Sequence, residues 1–159
     1  MPRFKKIIGV AVFGATAIAG AVVAASPVSA APVGIDVTIS ETIPLTTGTL
    51  TDGSIPACTS PTVTTFDATA TTYGSLQVFR GVKEFDCGGG DTFTLRYAAA
   101  TSGCAAYDFG FWRVTGGSGE FDGLRGRGVL IGSYTLDGEP GDACNNNGID
   151  DRYVGVLRF

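Results

Sequence analysis

Trp112-Arg-Val-Thr-Gly116-Gly-Ser-Gly-Glu-Phe121-Asp-Gly-Leu-Arg-Gly126-Arg-Gly128-Val-Leu-Ile-Gly132 is the stretch that decides how this chain is read. A strand bearing a tryptophan runs into a loop carrying Gly116, Gly117 and Gly119. A second strand then emerges with Gly126 and Gly128 two apart, hence on one face. Glycines so placed mark a site where another group crowds the strand, and Trp112 or Phe121 are the large neighbours at hand. The pattern is that of a β-barrel. It speaks to architecture more than to chemistry.

Working outward, residues 75–85, 91–99, 105–115, 127–137 and 151–158 read as strands. They are rich in Val, Phe, Tyr, Leu and Thr, and Gly/Asp/Asn clusters punctuate them. Upstream, residues 35–42 and 45–51, joined across Ile43-Pro44, and residues 62–70 add three more. Thirteen threonines between Ala31 and Thr72 suit exposed β-structure, with a glycosylated stalk as the alternative. Eight strands match a small closed barrel. Alternation puts Phe93, Leu95 and Tyr97 on one face and Thr92, Thr94 and Arg96 on the other. In the next strand Gly110, Trp112 and Val114 oppose Phe109, Phe111 and Arg113, so both faces carry aromatics. One face is then core, and the other is a packing or oligomer surface or the lining of a ligand pocket.

Cys58, Cys87, Cys104 and Cys144 form an even set without C-x-x-C spacing, and the chain has no histidine, so two disulfides are expected rather than zinc. In an up-and-down meander the loop with Cys87 lies at one end of the sheet and the loop with Cys104 at the other. The strand between them spans about 23–30 Å, far beyond the roughly 7 Å that a disulfide tolerates between Cα atoms. Direction parity places Cys144 with Cys104, and Cys58 with Cys87. The expected bonds are Cys58–Cys87 and Cys104–Cys144.

The first thirty residues read as an export signal. Arg3, Lys5 and Lys6 precede an apolar run, and Val28-Ser29-Ala30 supplies the small residues needed for cleavage after Ala30. An uncleaved membrane anchor is the rival reading. Residues 31–34 form a short extension and residues 35–159 a single barrel domain. Three of the eleven basic residues leave with the signal while all fifteen acidic ones stay, so the net charge moves from −4 to −7. Lys83 is then the sole lysine. A secreted, extracellular protein is expected. Such a chain repels phosphate backbones and anionic membranes, so neither nucleic acid nor membrane is an expected partner after cleavage.

The run Gly116–Gly128 resembles the Gly-Gly-Thr-Gly-x-Phe/Tyr-x-Gly-x-x-Gly-x-Gly segment of the allene oxide cyclase and dirigent barrels. It is closer still to small secreted bacterial proteins sharing that barrel. In those, a Phe-x-Cys-Gly segment like Phe85-Asp86-Cys87-Gly88 precedes a strand like Thr92–Leu95, and an Asp-x-Tyr-x-Gly ending resembles Asp151–Gly155. The likeness covers about half the chain. It implies an all-β, single eight-stranded antiparallel up-and-down barrel with two disulfides. The matching segments do not place the catalytic residues of either family on particular positions here, so none is carried over. Plant members of this barrel often form trimers, which leaves a homo-oligomer open.

Chemistry is thinly signalled. Without histidine there is no Ser-His-Asp or Cys-His device, and pairing occupies the thiols. Gly117-Ser118-Gly119 fails the phosphate-loop pattern because Asp122 stands where glycine is required. What remains is carboxylates: Glu84 and Asp86 at a strand end, and Asp137, Glu139, Asp142, Asp150 and Asp151 in loops. A glycosidase needs two of these at a set spacing, but surface acids are the simpler account. The loop 137–151 offers oxygen ligands for calcium, yet the EF-hand template puts Ala143 and Val154 where ligands belong. No metal and no cofactor are expected.

The expectation is therefore a non-catalytic binding protein, for a small apolar ligand in the barrel mouth or for an extracellular partner. Phe93, Leu95, Tyr97 and Trp112 are the expected contacts, with Arg96 anchoring an acidic group. The alternative is an isomerase or cyclase that acts by shaping its substrate. A membrane barrel ending in Phe159 and a two-sheet sandwich like the secreted apoproteins of enediyne antibiotics are further rivals.

Overall fold

The computed structural model describes residues 31–159; the signal assigned to residues 1–30 lies outside the described residues. Nine strands follow in order. They are β1 (Val33–Thr42), β2 (Thr47–Asp52), β3 (Thr62–Tyr73), β4 (Leu76–Asp86), β5 (Thr92–Ser102), β6 (Tyr107–Ser118), β7 (Arg125–Leu136), β8 (Glu139–Pro140) and β9 (Gly148–Arg158). The only helical turn among the described residues is a 3-10 turn at Gly119–Phe121. Neighbouring strands pair antiparallel from β1 to β7; β9 pairs with β7 and closes the ring on β1, from Val33 opposite Leu157 to Thr42 opposite Gly148. Eight strands thus form a closed up-and-down barrel, the expected architecture, and closure leaves the wall without a free edge. The ninth, β8, is a two-residue addition that folds back on Thr135 and Leu136. It lies in a Gly/Asp/Pro segment without strand propensity, so alternation gave no sign of it.

Both disulfides are those expected from strand direction. Cys58–Cys87 and Cys104–Cys144 span Cα separations of 5.1 and 5.0 Å. The first staples the end where β4 meets β5, the second the end where β5 meets β6. Strand limits differ from the sequence reading chiefly in β6. Gly116 and Gly117 belong to the strand, opposite Thr94 and Phe93, rather than to the following loop. The turn after them folds back so tightly that a Cβ on Gly117 would sit 2.2 Å from the carbonyl oxygen of Phe121. Glycine is needed there for space, and the strand continues through it.

Period-two alternation fills the interior. Ile35, Val37 and Ile39 of β1, Leu95 of β5, Trp112 of β6, Leu130 of β7 and Tyr153 and Leu157 of β9 all point inward and are buried. Gly128 and Gly155 face each other across β7 and β9. The Trp112 indole lies over both, with ring atoms 2.6–2.7 Å from where their Cβ atoms would be. Its N–H donates to the Val129 carbonyl at 2.9 Å, which satisfies its single donor. Of the same-face glycines of the opening stretch, Gly128 therefore seats the tryptophan together with Gly155, while Gly126 makes room for Leu157 and Val114. At the Cys58–Cys87 end the barrel is shut by aromatics: Phe85 stacks on its cross-strand partner Phe93 at 4.5 Å, and Phe121 caps Phe93 at 5.0 Å.

Candidate functional site

At the other end the same inward positions carry polar side chains. Glu41 follows Ile39 on β1 by two residues, and Lys83 precedes Phe85 on β4 by two. Asp108 precedes Gly110 and Trp112 on β6, and Asp151 precedes Tyr153 on β9. Each shares its strand's inner face, so the alternation that builds the core also drives four ionisable groups inside. Lys83 is completely buried. Its ammonium pairs with Glu41, lies 3.1 Å from Asp151 Oδ2, and donates to Thr65 Oγ1 at 3.3 Å. It also sits 5.3 Å from the centroid of the Tyr97 ring. Thr65 donates to the second oxygen of Glu41 at 2.7 Å. A buried cation without such partners would be too costly to keep, so the network accounts for the lysine.

Asp108 is held differently. Its Oδ1 accepts the Gly132 backbone N–H at 3.0 Å and its Oδ2 accepts the Tyr134 hydroxyl at 3.3 Å. No ammonium or guanidinium pairs with it among the described residues. Burial, reinforced by the Asp151 charge, pushes its carboxyl up to about 6 despite those two hydrogen bonds. Burial raises Asp151 as well, against the opposing pull of Lys83. Burial and the nearby carboxylates lift Tyr97 and Tyr134 above the ordinary phenol range. Both stay protonated and able to donate.

These groups border a cavity of about 200 Å³ that enters the barrel from this end. Phe79, Ala99, Leu130 and Ile149 give it apolar walls, and Ile43 and Leu45 of the β1–β2 connection stand at its mouth with the Ala68–Ala70 segment of β3. Tyr97, Asp108, Tyr134 and Asp151 supply its polar surface. A break in register between Phe66 and Thr69, with Asp67 at φ 51°, bends β3 beside the mouth. Bulges of this kind recur at barrel rims next to binding sites.

Of the five residues expected to contact a ligand, only Tyr97 lines this cavity. Phe93 and Leu95 share its face but lie toward the closed end, packed in the core, and Trp112 is spent on the glycine seat. Arg96 is on the outer surface, since it neighbours Tyr97 along the strand and must face the other way. It stands in a row with Arg113 and Arg127, its partners across β6 and β7, and anchors nothing inside. Glu84 and Asp86 also lie on the outer face of their strand, so they do not address the cavity. Asp151, read from sequence as a loop acid, is a buried β9 residue. Parity with Trp112 and Tyr153 was the signal that could have found Asp108 and Asp151.

The loop considered for calcium brings together Cys104, Asp142 and Cys144. Both sulfurs are in a disulfide and have no thiolate to offer a metal. The Asp142 carboxylate instead accepts the backbone N–H groups of Cys144 and Asn145, the turn chemistry expected of such a residue. On the outside, Phe109 and Phe111 project from β6 and are 62% and 72% exposed. The chain matches no family model, no curated protein and no solved structure.

Proposed function

We propose that this chain is a secreted binding protein whose barrel holds a small, mainly apolar molecule at its open end. The observation that carries this reading is the cavity itself. A closed barrel is shut by aromatics at one end and entered at the other, where apolar walls meet a few convergent polar groups. Such a combination is the usual make-up of a small-molecule site. Its volume lies below the roughly 300–1,000 Å³ of drug-sized pockets, which points to a ligand of one or two rings. The glycine-run resemblance to the allene oxide cyclase and dirigent barrels supports the same reading, as do the two disulfides and the leader for export. Titration with 2-phenylethanol, followed by amide NMR, tests it. Shifts should centre on Ala99, Leu130 and Ile149, and Ala99→Leu should weaken binding while Arg96→Ala leaves it alone. Shifts confined to the outer face around Phe109 and Phe111 would defeat the proposal.

A second reading is favoured by one observation. Asp108 has a carboxyl pushed up to about 6 and a tyrosine hydroxyl on one of its oxygens, and it faces the cavity. A group that titrates near neutrality can both give and take a proton there. An isomerase or cyclase could use it to move a proton on a substrate that the apolar walls hold in shape. Asp108→Asn would then abolish turnover while ligand binding persists; turnover that survived the substitution would remove this reading.

A further inference from the structure

Asp108 and Asp151 stand on either side of Gly132. In register, Asp108 of β6 faces Gly132 of β7, and Gly132 faces Asp151 of β9. Strands lie about 4.8 Å apart, so the two acids rise from backbones roughly 10 Å apart. Only a glycine lies between them. A Cβ at Gly132 would come within 2.3 Å of Asp108 Oδ1 and 2.8 Å of Ile149 Cδ1, so only glycine lets the Asp108 carboxylate fold over this strand and face Asp151.

The charges inside are unbalanced. Among the described residues the barrel encloses three carboxyl groups, Glu41, Asp108 and Asp151, against the single ammonium of Lys83. Glu41 and Asp151 engage that ammonium, and all seven arginines of the described residues are on the outer surface. Asp108 has no cation. In addition, the Tyr97 hydroxyl and Asp151 Oδ1 make no hydrogen bond among the described residues, although Tyr97 is only 6% exposed. Every fully enclosed side-chain polar atom there is paired, so these two atoms open onto the cavity. The free positions are thus acceptors on two carboxyls and a neutral phenol hydroxyl that can accept or donate, beside apolar walls.

We infer that the ligand carries a basic nitrogen, with its ammonium in the cavity between Asp108 and Asp151 and its apolar body against Ala99, Leu130 and Ile149. The inference rests on the binding reading above and adds the chemical class to it. A protonated amine supplies the positive charge that this interior lacks, and it donates to the two carboxyls in charge-assisted bonds stronger than neutral ones. A carboxylate-ended ligand finds no unengaged cation inside, which reverses the expectation of an acidic group held by Arg96.

The test compares three probes of one shape, 2-phenylethylamine, 2-phenylethanol and 3-phenylpropanoate, by calorimetric or NMR titration of the mature protein. At pH 7.5 the amine should bind about tenfold more tightly than the alcohol, the gap between a charge-assisted and a neutral hydrogen bond, and the carboxylate most weakly. The groups facing Asp108 are Tyr134 on β7, Asp151 on β9, Lys83 on β4 and Tyr97 on β5. As the pH falls below about 6 the Asp108 carboxyl takes up a proton, and Asp151, raised by burial, moves in the same direction. The amine's advantage should therefore shrink at pH 5 while the alcohol's affinity holds. Asp108→Asn should remove most of the advantage at pH 7.5, and the pH comparison on the unmutated protein stands even where that variant folds poorly. An alcohol or carboxylate that binds as tightly as the amine overturns the inference and leaves the binding reading intact. If none of the three binds at millimolar concentration, both fall.

Discussion

The two ends of the barrel are made by the same alternation and the same kind of staple, yet they are filled in opposite ways. At the Cys58–Cys87 end the inward positions are Phe85, Phe93, Val63 and Leu157, and Phe121 closes over them with almost nothing left exposed. At the Cys104–Cys144 end the inward positions become Asp108, Tyr134, Asp151 and Glu41, and a cavity enters between them. Lys83 sits at the changeover, one inward position from Phe85. The first end supplies apolar burial, which drives folding. The second spends part of that gain on buried charge, which stabilises little by itself. Such an expenditure is what a functional site requires of a fold.

The largest test of this contrast is Lys83→Met. The substitution keeps the length of the side chain and removes its charge, so it leaves Glu41 and Asp151 facing each other without a counter-ion. It should cost about 3–5 kcal/mol at pH 7 by chemical denaturation. The loss should be smaller at pH 5 than at pH 7, because burial raises the Asp151 carboxyl and removing the ammonium takes away the pull that opposed it. Phe93→Ala at the closed end should cost a similar amount, about 3–5 kcal/mol, but equally at both pH values. If Lys83→Met costs no more than a surface change, the polar end is not under the strain described.

The disulfides sharpen the contrast next. Cys58 is 1% exposed, whereas Cys104 and Cys144 are both on the surface. Mild reduction should therefore open Cys104–Cys144 first, as peptide mapping after alkylation would show. Each bond closes a loop of comparable length, with separations of 29 and 40 residues, so each should contribute about 2–4 kcal/mol. Equal rates of reduction would mean that the aromatic end opens as readily as the cavity end.

How much of this was legible in the sequence follows from what alternation encodes. Period two fixes which residues share a face, and with strand count and loop direction that was enough for the barrel and for both disulfides; aromatics on both faces of the Trp112 strand left open which face is inside. It does not say how far along the axis a residue lies. Phe93, Leu95 and Tyr97 were grouped as contacts by shared face, and only depth separates the core pair from the cavity residue. Nor does a polar side chain announce that it is buried. Lys83 and Asp151 looked like ordinary surface charges, because the partners that make their burial tolerable come from β1, β4 and β9, 42 residues apart for the Lys83–Glu41 pair. Neutralisation of that kind is a property of the closed ring, and no local window contains it.

Asp108 gives a pH test of smaller size. Its carboxyl is raised from an ordinary value of 3.8 to about 6 in the folded protein. Between those values the folded state keeps a proton that the unfolded chain has released, so this residue makes stability fall as the pH rises from about 4 to about 6. Asp108→Asn preserves an acceptor for the Gly132 N–H and removes the titration. The variant should be flatter across that range and relatively better off above pH 6, by roughly 1–3 kcal/mol at about 1.4 kcal/mol per pH unit. An unchanged slope would place the titrating carboxyl elsewhere.

The outer wall provides the smallest and most useful measurement, because it holds like charges in the same register without burying them. Arg96, Arg113 and Arg127 stand directly opposite one another on β5, β6 and β7. Like charges so placed repel, and Arg113→Glu should turn two repulsions into attractions and stabilise the barrel by a few tenths to about 1 kcal/mol. Salt should erase the gain, since water and counter-ions reach all three side chains. The Lys83→Met loss should depend on salt much less, because Glu41 and Asp151 are buried and only one Asp151 oxygen opens onto the cavity. The same concentration series on the two variants would then separate charge that the fold merely carries from charge that it encloses.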